Sequence, residues 1–87
     1  MKYGRKDSNQ AEIVEALEKV GCEVTDMSQA GNGFPDLICT RAGIHYLIEI
    51  KTTKGKLRQS QVDFHAKHKP VYTVRNVDEA LIAVGLK

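Results

Sequence analysis

The pair Ala42-Gly43 divides an apolar stretch into two strands, and the register of that hairpin constrains the rest of the chain. Asp36-Leu37-Ile38-Cys39-Thr40 reads as the outgoing strand, and Ile44-His45-Tyr46-Leu47-Ile48-Glu49-Ile50-Lys51 as the return. With a two-residue loop at Ala42-Gly43, Arg41 faces Ile44. Counting outward, Thr40 pairs with His45, Ile38 with Leu47, and Asp36 with Glu49. Two carboxylates then stand opposite each other with Cβ atoms roughly 5 Å apart. Like charges so placed repel, and a divalent cation between them is the simplest compensation. Lys51, two residues beyond Glu49, projects from the same face, while Ile48 and Ile50 point to the other, where a core would take them. Two acids and an ammonium on one patch suit metal-assisted attack on a phosphodiester.

Other elements follow from periodicity and stop signals. Ser8 or Asn9 is placed to cap a helix running to Val20 and stopped by Gly21, with Ile13, Val14, Ala16, Leu17 and Val20 as its apolar stripe. Residues 22–28 read as a strand anchored by Val24. Gly31-Asn32-Gly33 is a loop that delivers the chain to Pro35. A polar loop through Gly55 precedes a second helix over residues 58–67, with Leu57, Gln61, Phe64 and His68 close to one face. Val71-Tyr72-Thr73-Val74 is a short strand. Asn76 caps a last helix, with Glu79 at the capping-box position and Gly85 as the stop. The order α-β-β-β-α-β-α predicts an α/β fold, one mixed sheet flanked by helices. At 87 residues the chain is expected to form a single domain over residues 1–87, with 1–7 flexible.

Bulk composition decides less than its distribution. The net charge is only +2. Between Lys51 and Lys69, however, six cations stand against one acid, a local net charge of +5 directly after the carboxylate pair. That adjacency favours phosphate binding by Lys54, Lys56 and Arg58 over a merely solvated surface. No apolar run has the length of a membrane span, so no membrane partner is expected. Cys22 and Cys39 form no CxxC motif, and no His stands at zinc spacing from them. They read as buried free thiols of a reducing, cytoplasmic compartment. His45, His65 and His68 form no ligand motif; His45 shares the face of Glu49 and is a candidate substrate contact.

Pro35-Asp36 followed by Glu49-Ile50-Lys51 resembles the PD-(D/E)XK nuclease superfamily. Adding Asn9-Gln10-Ala11-Glu12-Ile13-Val14, Gly31-Asn32-Gly33-Phe34-Pro35-Asp36-Leu37, and Leu57 followed by Gln61, the chain resembles the VRR-NUC branch from about residue 7 to 85. That branch includes small stand-alone nucleases of phages and bacteria. The resemblance implies a restriction-endonuclease-like sheet and a divalent-metal-dependent endonuclease acting on DNA, in a bacterial or phage-infected cell. Asp36, Glu49 and the main-chain carbonyl of Ile50 would hold Mg2+ or Mn2+. Lys51 would polarise the attacking water, and Gln61 would support Lys51 or the metal waters. Many relatives carry an acid on the first helix. Here the inward candidate is Gln10, while Glu12 points about 160° away on an ideal helix. Both are accessory candidates, and the missing acid leaves a second metal in question. Relatives also often place Ser or Thr where this chain has Arg58. Small resolvases of four-way DNA junctions in the superfamily act as dimers, which implies a homodimer on branched DNA. The competing reading is a nuclease-fold module that binds DNA or a protein without cutting.

Overall fold

The computed structural model describes residues 9–52 and 54–87. The expectation of a flexible 1–7 segment, and Ser8 as a cap, lie outside the described residues.

Helix α1 (Gln10–Lys19) buries Ile13 and Leu17 completely. Burial of two such side chains is worth roughly 2 kcal/mol each. The stripe is narrower than its periodicity predicts, because Ala16 is half-buried and Val20 is 42% exposed. The helix ends as expected at Gly21: the Gly21 and Cys22 amides donate to the carbonyls of Glu18 and Leu17, both at 3.1 Å, a Schellman pairing. Its start differs. Asn9 occupies the N-cap position but makes no side-chain cap. Its amide instead donates to the carbonyl of Arg75 at 2.9 Å and, weakly, to that of Lys51 at 3.5 Å.

Strands β1 (Glu23–Asp26), β2 (Leu37–Arg41), β3 (Ile44–Ile50) and β4 (Val71–Val74) form one sheet in the order β1-β2-β3-β4. The first two pairings are antiparallel, and β3–β4 is parallel. β1 stops short of the expected 22–28. Asp26 Oδ1 accepts from both the amide and the hydroxyl of Ser28, at 2.9 and 2.6 Å, and this local turn draws the chain off the ladder. The predicted hairpin register holds over the ladder from Leu37 to Ile48, with Arg41 opposite Ile44, Thr40 opposite His45 and Ile38 opposite Leu47; Asp36 and Glu49 lie one step beyond it. Ala42 and Gly43 both have positive φ, 53° and 80°, the type I′ geometry that matches strand twist.

Period two then sorts the sheet. Leu37, Cys39, Ile48, Ile50 and Val74 fall on the face that packs with Ile13 and Leu17 of α1 and with Ala80 and Val84 in and just after α3 (Val77–Ala83). Cys22 and Cys39, isolated in sequence, are both free and buried and lie against each other. Burial, and then contact with Cys22, push the Cys39 thiol up to about 12. Helix α2 (Gln59–Lys67) links β3 to the parallel β4, as a crossover must. α3 is capped by the Asn76 side chain, which accepts from the Glu79 amide at 2.8 Å. Glu79 reaches back one residue further than a capping box requires, to the Arg75 amide at 2.7 Å. The observed order is α-β-β-β-α-β-α, a mixed sheet flanked by helices consistent with a restriction-endonuclease-like fold. Among the described residues no helix is long and apolar enough to cross a membrane.

Candidate functional site

β2 begins at Leu37, opposite Ile48, so Asp36 stands one step before the strand on the side of Glu49. Its carboxylate reaches across: Asp36 Oδ2 accepts from the Ile50 amide at 2.9 Å. Its carbonyl accepts from the Met27 amide at 2.7 Å, which ties it to β1 as well. Glu49 is 1% exposed. Buried acids normally ionise against a partner, but the neighbours of Glu49 pull in opposite directions. Burial raises its pKa, the charge of the neighbouring Asp36 carboxylate raises it further, and the Lys51 ammonium lowers it. The result stands at about 7, against an ordinary 4.5.

One oxygen of Glu49 is well held. Oε2 accepts from the Gln61 side-chain amide at 2.9 Å and lies 3.5 Å from Lys51 Nζ. The other, Oε1, is buried without a hydrogen-bond partner. Gln61 spends both ends of its amide, because Oε1 accepts from the Arg58 main-chain amide at 2.8 Å and closes the first turn of α2. Arg58 has no acceptor to complete a capping box, so its guanidinium stays exposed. Asp36, Glu49, Lys51 and Gln61 are thus brought together around the end of β3. Lys54 and Lys56 are exposed on the loop between that site and Arg58.

Two contacts seat α2 over this patch. Phe64 meets Phe34 edge-on with ring centroids 5.1 Å apart, and stacks on His68 at 4.3 Å. Gly33 approaches the helix so closely that a Cβ there would sit 2.1 Å from the Ser60 carbonyl oxygen. Thr52 and Gly55 are held from the other side, where Arg75 Nη1 donates to both their carbonyls.

Gln10 is 2% exposed, but its amide donates to Asp26 Oδ2 at 3.5 Å, the weak end of hydrogen bonding. Asp26 ends β1, and sequence periodicity, which runs that strand on to residue 28, does not single it out. Glu12 is exposed on α1. His45 is exposed at the far end of β3, with Nδ1 2.9 Å from the Thr40 hydroxyl. His65 is the larger omission. It is half-buried one turn after Gln61, its Nε2 is buried without a partner, and burial and then the Lys51 ammonium lower its pKa. The spacing of Gln61 and His65, four residues on one helix, was the signal available in the sequence. Among the described residues, no group of three or more His, Cys, Asp or Glu side chains is placed to hold a metal ion. The acidic pair therefore stands without a third such side chain.

The family model for archaeal Holliday junction resolvases (hjc) matches residues 1–84. No curated protein and no solved structure matches the chain. The family match agrees with the nuclease superfamily expected from Asp36, Glu49 and Lys51, and does not specifically show the VRR-NUC branch. On a match that spans nearly its whole length, the chain belongs to the archaeal Holliday junction resolvase (Hjc) family, a family of PD-(D/E)XK-type nucleases.

Proposed function

We propose that this chain is a single-domain, divalent-metal-dependent endonuclease that cuts branched DNA, four-way junctions foremost, as a homodimer. The carrying observation is Glu49: a fully buried carboxylate, set against a second acid, with one oxygen lacking any partner. A hard divalent cation fits that donor set. Carboxylate oxygens and a main-chain carbonyl are the ligands Mg2+ and Mn2+ prefer, and a cation removes the repulsion that raises the Glu49 pKa. Asp36, Glu49 and the carbonyl of Ile50 would hold it. When bound, it supplies Lewis-acid stabilisation of the phosphate and an activated water.

The protein's own groups do the remainder. Gln61 fixes the orientation of Glu49 from α2. Lys51 offers its ammonium to the charge that develops on the phosphate. Lys54, Lys56 and Arg58 extend the positive surface along the bound strand, where each phosphate contact adds salt-sensitive affinity. Gln10 acts at one remove, steadying Asp26 beside the 27–36 loop that delivers Asp36. The motif likeness to VRR-NUC nucleases, carried by Pro35-Asp36 and Glu49-Ile50-Lys51, supports the same chemistry.

Incubation of labelled duplex and four-way-junction DNA with Mg2+, Mn2+ or EDTA tests the reading. Cleavage should require Mg2+ or Mn2+, and Asp36→Asn should abolish it while the protein stays folded. Wild-type cutting in EDTA, or by Asp36→Asn, would sink the metal site. Tight junction binding with no cutting under any metal would favour the non-cleaving module instead.

A further inference from the structure

Lys51 leaves the end of β3 with its backbone already tied down. Its amide donates to the Val74 carbonyl at 3.0 Å, which carries the β3–β4 pairing one residue beyond Ile50. Its side chain is 13% exposed, and Nζ lies 3.5 Å from Glu49 Oε2. A lysine stem is flexible, so its ammonium keeps one position only where something confines the stem.

Gly55 supplies that confinement. A Cβ built there would stand 3.3 Å from Lys51 Cδ, 3.3 Å from Thr52 Oγ1 and 3.4 Å from the Thr52 amide nitrogen. Carbon atoms ordinarily meet at roughly 3.5–4.0 Å, so the chain at Gly55 lies against the Lys51 stem without room for a methyl group. Gly55 is not one of the glycines of positive φ, and closeness rather than conformation calls for glycine at this position.

Thr52 and Gly55 lie beyond the end of β3, and two kinds of bond hold them. The Gly55 amide donates to the Thr52 carbonyl at 3.0 Å. Arg75 Nη1 donates to that same carbonyl and, at 3.0 Å, to the carbonyl of Gly55. Arg75 is itself well anchored just past β4. Its carbonyl accepts from the Asn9 side chain at 2.9 Å, and its amide donates to Glu79 Oε1 at 2.7 Å. One guanidinium nitrogen thus ties the chain beside the Lys51 stem to a frame built from α1, β4 and α3.

We propose that Arg75 is a positioning residue for Lys51: by holding the Thr52 and Gly55 carbonyls it keeps Gly55 against the Lys51 stem and sets where the ammonium stands beside Glu49. The inference rests on the reading of Asp36, Glu49 and Lys51 as the nuclease site.

Lysine labelled with 13C at Cε gives a reading free of metal and DNA. The Cε order parameter of Lys51 should be high in the wild type and fall towards that of exposed Lys54 in Arg75→Ala. Arg75→Lys should restore part of it, since one ammonium can donate to both carbonyls as one Nη does. On four-way-junction DNA, Arg75→Ala should lower kcat roughly tenfold to a hundredfold with KM little changed, the effect of a misplaced reacting group. Arg75→Lys should recover much of the rate. Gly55→Ala makes the Lys51 stem give way by a few tenths of an ångström. It should lower kcat about tenfold while Tm stays at or above the wild-type value, because the backbone there accepts alanine. A purely structural arginine would lower Tm in Arg75→Ala but leave the Lys51 order parameter, and the rate of Gly55→Ala, at wild-type values; that result overturns the inference. So does a rise in KM at unchanged kcat, which would make Arg75 a DNA contact. If Arg75→Ala does not fold, wild-type kcat in Gly55→Ala overturns it. Lys51→Ala separates this inference from the site reading. Loss of cutting in Lys51→Ala with full cutting in Arg75→Ala overturns the role of Arg75 alone. Full cutting by Lys51→Ala, or none by the wild type under any metal, overturns the site reading and this inference with it.

Discussion

Glu49 is an acid in a place that favours its neutral form, and the consequence is measurable without DNA. Its folded pKa stands at about 7, raised first by burial and then by Asp36, against 4.5 ordinarily. Between those values the folded protein holds a proton that the unfolded chain has released. Stability therefore falls as pH rises through this window; the full contribution is present below about pH 4.5 and gone above about pH 7. The displacement corresponds to roughly 3 kcal/mol at most. His65 works in the opposite sense, because its lowered pKa costs stability as pH falls below the ordinary 6.5. Comparison of wild type with Glu49→Gln removes that contribution. In urea titrations without metal, the wild type should lose stability relative to Glu49→Gln between pH 4.5 and 8. Mg2+ should stabilise the wild type more at pH 8 than at pH 5. A pH-independent difference between the two proteins would show that Glu49 ionises normally. The meeting of Glu49 with Asp36 was legible in sequence, because a two-residue loop and a period of two leave one register. The burial of His65 Nε2 and the contact of Asp26 with Gln10 were not. Their place depends on where α2 lands and where β1 ends, and neither is set by local periodicity.

At the scale of elements, α2 is the piece whose position matters most and whose apolar anchoring is thinnest. Gln61 is the buried residue of this helix, and it is polar. The helix is located by that amide, by the Phe34–Phe64 edge contact, and by Gly33. The Gly31-Asn32-Gly33 run reads in sequence as a loop, but its role is steric. Gly33 has φ +80°, and a Cβ there would meet the Ser60 carbonyl carbon at 2.5 Å and the Gln61 amide nitrogen at 3.1 Å. Gly31 has a similar φ of +75° with nothing within 4 Å of its Cβ position. The two glycines thus separate backbone strain from packing. Gly31→Ala should cost about 1 kcal/mol for the left-handed conformation alone. Gly33→Ala should cost a further 1–3 kcal/mol or so, because backbone must move away from backbone. It should also shift the Gln61 side-chain amide resonance as the hydrogen bond to Glu49 loosens. Equal losses at the two positions would mean that the loop does not locate α2. The helix starts and stops were more legible than this contact, since Asn76, Gly21 and Gly85 act within a few residues of themselves. Asn9 shows the limit: its side chain serves distant carbonyls of Lys51 and Arg75 instead of its own helix.

The whole molecule offers a surface that joins two features separate in the chain. β4 lies at the edge of the sheet, and beside it runs a groove lined by residues 71–75 with Ile82 and Ala83 of α3, where Arg75 and Glu79 supply its charged side chains. Ile82 is 56% exposed there. The β4 edge and α3 thus contribute to one surface. An open strand edge beside exposed apolar side chains is a liability unless something covers it. A stable protein interface takes about 800 Å2 per partner, roughly a seventh of the 5533 Å2 that this chain exposes, so one groove and its rim could supply most of it. The proposed chemistry also asks for a second copy. One chain carries one Asp36–Glu49 pair and cuts one strand, whereas resolving a four-way junction requires two cuts related by symmetry. A two-fold dimer provides them, with the same groove on both partners. The wild type should therefore sediment as a dimer at micromolar concentration, and Ile82→Glu, which buries like charges against each other at the axis, as a monomer. On a four-way junction the wild type should make paired cuts within one binding event. Ile82→Glu should leave nicked junctions while still responding to Mg2+ at Glu49. A wild type that stays monomeric on and off the junction, or an Ile82→Glu variant that remains dimeric and cuts in pairs, would remove this groove as the interface without touching the site at the end of β3.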